Sequence, residues 1–271
     1  DRISKLDLKE WHFELSDNPS LEKEYINQIK NEYVGLWYNR YILGEWVQAE
    51  GAVYDFFDQD IHCMDYPTNP AQSYILGVDY GTSNAFAAVL IGINRNYYPN
   101  VWVEDEYYWN PKKEMRQKTN VEYADDLKNF IEGKYIEAIY VDPSAASFKL
   151  ELRRNGFEEI YDAQNEVVDG IRKVAEYLAA GTLKICSKAK NLIAEIQGYC
   201  WDPKAQERGE DKPIKMNDHA LDALRYAIYS HFFGNDMSNP LTPKKLDELY
   251  NESRGITNNL PRFFQDPNQM Y

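Results

Sequence analysis

The sequence predicts an α/β protein built on a mixed sheet with helices on both faces. Three observations predict it. Apolar strands follow one another through residues 74–108 with only short turns between them, helix and strand patterns alternate from 119 to 232, and two of the most apolar strands end in an aspartate. Tight turns join antiparallel neighbours, whereas parallel neighbours need crossovers. Strands in a row followed by alternation therefore point to a mixed sheet rather than a purely parallel one.

The elements follow in chain order. After the turn former Asp17-Asn18-Pro19, Ser20 is placed to cap a helix with Tyr25, Ile26, Ile29 and Tyr33 on one face. The aromatic stretch from Leu36-Trp37-Tyr38 to Trp46-Val47 continues that helix or starts another, with its aromatics read as core or domain-contact surface. The prolines of Asp65-Tyr66-Pro67-Thr68-Asn69-Pro70 mark a linker, and a compact domain is expected from about Ser73. Strands are predicted at 74–79, 85–93 and 101–108, forming an antiparallel meander. Thr119-Asn120-Val121-Glu122 is a capping box that opens a helix to about Glu132. Then come a strand at 136–142, a helix at 144–154, a short strand at 159–161, a helix at 167–180 closed by Gly181, a strand at 183–186 and a helix at 189–197. A polar, hairpin-like stretch at 202–215 precedes a last helix at 218–232 that ends at Gly234, and a short helix at 243–250 lies in the tail. The expected organisation is a helical segment and linker at 1–70, the sheet domain at 71–235 and a polar tail at 236–271.

Charge narrows the function. The 271 residues carry 30 Lys+Arg against 44 Asp+Glu, a formal charge of −14, which argues against a broad basic face for duplex nucleic acid and makes any such binding local or metal-mediated. No stretch approaches the roughly 20 apolar residues of a membrane span, and Asp1-Arg2-Ile3-Ser4-Lys5 is neither a signal nor a transit peptide. Cys63, Cys186 and Cys200 are odd in number and widely spaced, which argues against a disulfide framework or a zinc site. No phosphate-binding G-x-x-x-x-G-K-[ST] loop occurs, and a chain that does not begin with methionine is expected to be a piece of something longer.

Three acids stand at special places. Asp79 closes the first apolar strand, Asp142 ends the strand at 136–142, and Asp222 lies inside the last helix. Each would be costly to bury unpaired. Taken singly, Asp142 before Pro143-Ser144 reads equally as a helix cap, as does Asp218 at the start of the last helix, and His219 reads as a partly exposed helix residue. Taken together, adjacent parallel strands would bring Asp79 and Asp142 to one sheet edge, where open α/β sheets place ligands. Asp218, His219 and Asp222, at three- and four-residue spacing, share the helix face that would complete the set. Oxygen ligands with open positions suit Mg²⁺ or Mn²⁺. Two such ions about 4 Å apart would activate water for phosphodiester hydrolysis.

Three motifs carry a resemblance: Gly77-Val78-Asp79-Tyr80-Gly81, Val141-Asp142-Pro143-Ser144, and Asn217-Asp218-His219-Ala220-Leu221-Asp222-Ala223-Leu224-Arg225-Tyr226. Together they resemble the C-terminal nuclease domain of the large terminase subunit of tailed bacteriophages. Asp17-Asn18-Pro19-Ser20 and the run from Arg40 to Gly51 are similar to the segment that closes that subunit's ATPase domain, so the resemblance covers residues 16–232. It implies an RNase H-like (retroviral integrase-like) fold and metal-dependent cutting of concatemeric viral DNA during genome packaging. The implied metal ligands are Asp79, Asp142 and Asp222, with Asp218 and a catalytic His219 beside them. Mg²⁺ or Mn²⁺ as a pair of ions, double-stranded viral DNA, a small terminase subunit and a portal are the implied cofactors and partners, in the host cytoplasm and transiently on the procapsid. Lys204, Arg208, Lys212 and Lys215, in the stretch before the third acid, are expected to touch the DNA backbone. Two other classes remain open: an actin/hexokinase-superfamily phosphotransferase using Gly77–Ser83 as a phosphate loop, and a non-catalytic capsid or portal docking module.

Overall fold

In a computed structural model the described residues are 11–233. A seven-stranded sheet forms their centre, from β1 (Cys63–Met64), β2 (Ser73–Asp79), β3 (Phe86–Ile93), β4 (Val101–Trp109), β5 (Ile136–Val141), β6 (Ile160–Asp162) and β7 (Leu183–Cys186), in the order β1-β7-β4-β3-β2-β5-β6. β2, β3 and β4 form the antiparallel meander, with Val78 opposite Ala88 and Ala88 opposite Tyr107. Parallel pairs flank it, β5 on β2 and β7 on β4. β3 is buried along its whole length, which is why Phe86–Ile93 reads as a continuous apolar run rather than an alternation.

The helices are α1 (Lys23–Glu32), α2 (Gly35–Tyr41), α3 (Gln59–His62), α4 (Asn120–Phe130), α5 (Ala146–Arg154), α6 (Val167–Ala179), α7 (Lys190–Gly198), α8 (Pro203–Gln206) and α9 (His219–Phe232). Side chains alternate across a strand, so Leu76 and Val78 of β2 point to one face. There they join Phe86, Leu90, Ile139 and Val141 beneath α4 and α5, which contribute Tyr123, Leu127, Phe148 and Leu152. Phe86 and Tyr123 stack at 4.2 Å between ring centroids. The capping box at Thr119 forms as the sequence predicts, Glu122 N–H donating to Thr119 Oγ1 at 3.3 Å and Thr119 N–H to Glu122 Oε2 at 2.8 Å. Gly77 points to the opposite face. A Cβ there would stand 1.9 Å from the Ala223 carbonyl oxygen, so glycine is what lets α9 lie directly on the centre of the sheet.

Several expectations change. Ser20 does not cap a helix: its N–H goes to Asn18 Oδ1 at 3.0 Å in a side-chain-closed turn, and α1 starts only after Glu22. α2 stops at Tyr41, and the segment through Val47 is irregular. The chain joins the sheet before residue 71, because β1 pairs in parallel with β7, and Val53 N–H also donates to Tyr199 O at 2.8 Å, beyond the end of α7. Two residues are too short to show a period, so β1 had no signature in sequence. α5 begins at Ala146 rather than Ser144, since Ser144 N–H and Oγ both donate to Asp142 Oδ1, at 2.7 and 2.6 Å. The stretch at 202–215 contains α8, capped by Asp202, and is closed at its base by Asp202 N–H to Lys212 O at 2.8 Å. Gly234 and the tail at 236–271, with its helix at 243–250, lie outside the described residues.

Candidate active site

β2 and β5 are neighbouring and parallel, with Val78 opposite Val141, so Asp79 and Asp142 emerge at the same end of the sheet. Asp142 N–H donates to Val78 O at 3.3 Å, which anchors the strand end. α9, seated on Gly77, delivers the third group from the other direction. His219 Nδ1 lies 2.8 Å from Asp79 Oδ2. Asp222 N–H donates to Asp218 O at 2.7 Å, the first intrahelical bond of α9. Asp79, Asp142, Asp218, Asp222 and His219 all line one cavity of about 470 Å³, and Lys112 and Lys215 line it too. A larger cavity of about 780 Å³ shares Asp142, Asp218, Asp222 and Lys215 and extends to Lys212 and Arg225.

The electrostatics follow from burying like charges together. Burial pushes the Asp79 carboxyl above its ordinary range and the Asp222 and Asp142 charges push the same way, while the His219 hydrogen bond opposes them. His219 is raised in return, chiefly by its bond to Asp79, against the opposing effect of burial. Burial and the charge of Asp222 raise Asp218. Asp142 is the exception: burial works upward, but hydrogen bonds from Ser144 and from Tyr226 hold it below the ordinary carboxylate range. Tyr226 Oη donates to Asp142 Oδ2 at 3.0 Å. Arg225 donates to Asp222 Oδ1 from Nη2 at 2.8 Å and from Nε at 3.2 Å, and to Glu166 O from Nη1 at 3.2 Å.

Clustered carboxylates are hard oxygen donors of the kind Mg²⁺ and Mn²⁺ take. The upward shift of Asp79 comes first from burial and only then from the Asp222 and Asp142 charges, a repulsion that a cation between them would relieve. By chemistry the donor set fits a divalent cation. By distance it is not assembled: among the described residues no three His, Cys, Asp or Glu side chains stand close enough to share one ion. Asp79, Asp142 and Asp222 are turned instead to His219, Tyr226 and Arg225.

Six of the residues singled out in sequence, Lys215 among them, thus share one cavity, and Lys212 borders its neighbour. Lys204 and Arg208 line neither; Arg208 pairs with Glu210 at 3.6 Å. Sequence reasoning missed Lys112, Glu195, Arg225 and Tyr226. Arg225 and Tyr226 had a signal, the three- and four-residue spacing from Asp222. Glu195 had a weaker one, a charge inside the apolar run Leu192-Ile193-Ala194-Glu195-Ile196. Lys112 had none, because only the fold brings its loop to the acids.

Comparison with known proteins identifies the family and the fold. Residues 77–231 match the family described as the terminase RNaseH-like domain. The large terminase of a thermophilic bacteriophage, solved with ATP-gamma-S, is 42% identical, with a TM-score of 0.78 over 86% of this chain and 59% of that one. The terminase large subunit of Escherichia phage T5 is 25% identical over 229 residues, 81% of this chain and 51% of its own length. The P22 large terminase nuclease domain shares the fold at 16% identity, with a TM-score of 0.53 over 66% of this chain and 92% of that one. The chain therefore spans between about half and three-fifths of the length of the thermophilic-phage and T5 relatives. From its matched residues and its mixed α/β sheet, the chain belongs to the terminase RNaseH-like domain family.

Proposed function

We propose that this chain is the nuclease part of a large terminase, a divalent-metal-dependent endonuclease that cuts concatemeric double-stranded viral DNA during genome packaging. The observation that carries the reading is the convergence of Asp79, Asp142, Asp218 and Asp222, from two strand ends and one helix, into a single cavity. Asp79, Asp142 and Asp222 would hold Mg²⁺ or Mn²⁺, as one ion or a pair, with Asp218 assisting. Holding it requires these carboxylates to exchange part of their contacts with His219, Tyr226 and Arg225. Bound there, the metal supplies an acidified water and charge neutralisation at the leaving oxygen. In the reaction an O–P bond to water forms as the ester P–O bond breaks, giving a phosphate monoester and a free hydroxyl.

The protein's own residues orient the parts. Arg225 fixes Asp222, Tyr226 fixes Asp142, and His219 holds Asp79 through Nδ1. Lys112 and Lys215 flank the acids, and Lys212 borders the adjoining cavity, where their ammonium groups would meet phosphates on either side of the scissile bond. Lys204 and Arg208 would reach DNA only further from the acids. Local cations of this kind reconcile DNA binding with a net charge of −14.

Residues up to about 70 we read as the end of the ATPase module and its connection. α2 docks on the domain through a two-pronged Arg40–Asp211 ion pair and a Trp37–Trp201 edge contact at 6.2 Å. A small terminase subunit and a portal are the proposed partners, in the host cytoplasm and on the procapsid. Among the described residues no helix is long and apolar enough to cross a membrane.

A plasmid-nicking assay with Mn²⁺, Mg²⁺ or EDTA tests the reading. Cation-dependent cleavage lost in Asp79→Asn and Asp222→Asn is the expected result. Folded protein that leaves DNA intact with every cation overturns it, with ATP hydrolysis then favouring the phosphotransferase class and inertness the docking module.

A further inference from the structure

We propose that Glu195 is a positioning residue for this site: reaching from α7, it caps the N-terminus of α9 and thereby sets where His219 and Asp222 stand against Asp79 and Asp142. The nuclease reading above supplies what α9 carries; the cap is a matter of geometry.

The first N–H groups of a helix have no intrahelical partner, and an Asp, Asn, Ser or Thr just before the helix usually takes them. Asp218 occupies that place in the chain. Yet the donors go elsewhere: Ala220 N–H donates to Glu195 Oε2 at 2.7 Å and Leu221 N–H to the same oxygen at 3.0 Å. Asn217, with φ of 53°, turns the chain just before Asp218. With the cap supplied by another helix, Asp218 has its carboxyl in the acid cavity beside Asp222.

The other oxygen of Glu195 accepts from Tyr108 Oη at 2.9 Å. One carboxyl therefore ties α7, β4 and α9 at a single point. Glu195 is only 6% exposed. A carboxyl so far from water is tolerated when it is surrounded by donors and sits at the positive end of a helix dipole, and both conditions hold here. His219 and Asp222 both lie in the first turn of α9, the turn that frays when a cap is lost. A displacement of about 1 Å in such a group can cost about 100-fold in rate. Glu195 touches neither Asp79 nor Asp142 and acts through the helix.

The experiment compares Glu195→Ala, Glu195→Gln and Leu152→Ala in the full chain. Leu152 is buried on the far face of the sheet and serves as a control for general destabilisation. Four quantities are measured: amide hydrogen exchange, Mn²⁺ affinity by calorimetry, thermal midpoint, and kcat and KM for plasmid cleavage. Glu195→Ala is expected to speed exchange at Ala220 and Leu221 and to lower Mn²⁺ affinity and kcat by about 10- to 100-fold, with KM for DNA little changed. Glu195→Gln keeps an oxygen for the two N–H groups and an amide for Tyr108, and is expected to recover to within about 3-fold of wild type. Leu152→Ala is expected to lower the midpoint while leaving Mn²⁺ affinity and kcat within about 2-fold at temperatures where it is folded.

A folded Glu195→Ala that binds Mn²⁺ and cuts like wild type overturns the proposal, as does Glu195→Gln failing as badly as Glu195→Ala. If wild type itself neither binds Mn²⁺ nor cuts, the nuclease reading falls and exchange decides the cap alone. Fast exchange confined to the first turn of α9 in Glu195→Ala then supports it, and unchanged exchange refutes it.

Discussion

Between β2 and the helices α4 and α5, the sheet buries Leu76, Val78, Phe86, Tyr123 and Phe148, among which the Tyr123 hydroxyl is the one polar side-chain group. Around α9, on the other side of β2, the buried groups include Glu195, Arg225 and Ser230, each with named hydrogen-bond partners. The same strand serves both faces, because alternate residues point opposite ways: Leu76 and Val78 to one, Gly77 and Asp79 to the other. The contrast teaches a division of labour. The apolar face contributes area removed from water, and its tolerance is set by volume. The polar face contributes placement, and its tolerance is set by distances to particular atoms.

The largest effect that would break this contrast is chemical. Asp79→Asn or Asp222→Asn should lower cleavage by about 10³-fold, since each removes a charge that the transition state needs. Asp79→Asn should melt no lower than wild type, because the carboxyl it replaces is buried at a cost. Plasmid nicking alongside thermal unfolding checks both, and a strongly destabilised Asp79→Asn would put Asp79 among the structural groups instead.

Next come two variants matched in stability but not in function. Phe148→Ala on the apolar face should cost about 3–5 kcal/mol, with Mn²⁺ affinity intact where the protein is folded. Gly77→Ala forces a Cβ within 1.9 Å of the Ala223 carbonyl, which must push α9 outward. Its cost should be about 3 kcal/mol or more, with Mn²⁺ binding lost even below the melting temperature. Equal retention of Mn²⁺ binding by the two folded variants would erase the distinction between the faces.

A smaller effect is written in pH. Burial holds the Glu195 carboxyl up at about 7 against an ordinary 4.5, and its hydrogen bonds only partly offset that. Between those values the folded chain keeps a proton that the unfolded chain has lost. Its contribution is therefore fully present below pH 4.5 and is lost as pH rises through about 7. Denaturant unfolding from pH 4 to 8 should show wild type losing stability relative to Glu195→Gln, whose side chain does not titrate. Parallel curves for the two would show that Glu195 carries no such linkage. Smallest of all, Lys112→Ala, Lys212→Ala and Lys215→Ala should each flatten the salt dependence of DNA binding by about one unit of logarithmic slope while sparing Mn²⁺ affinity. An unchanged slope for all three would place the DNA elsewhere.

Much of the fold and part of the site were legible in the chain. The capping box at Thr119, the buried run Phe86–Ile93 and the acids closing two apolar strands are local patterns, and each has a short-range physical cause. Asp142 and Asp218 show where that reasoning stops. Both could serve as caps by their position, yet Asp142 is turned into a side-chain-closed turn by Ser144, and the N–H groups that position would assign to Asp218 are taken by Glu195 from another helix. Lys112 and β1 left no local trace, since a loop lysine and a two-residue strand look alike wherever they fall.

Periodicity, turn chemistry and the placing of acids at strand ends determined the order of the longer elements and the candidate ligands, because those properties depend on neighbours a few residues away. Tertiary structure alone decided that β5 lies beside β2, that α9 sits on Gly77, and that a glutamate far along the chain holds the helix bearing Asp222. Such contacts join residues 25 to 146 positions apart, from Glu195 and Ala220 to Gly77 and Ala223. Their energies belong to the packed arrangement, and no stretch of sequence carries them by itself.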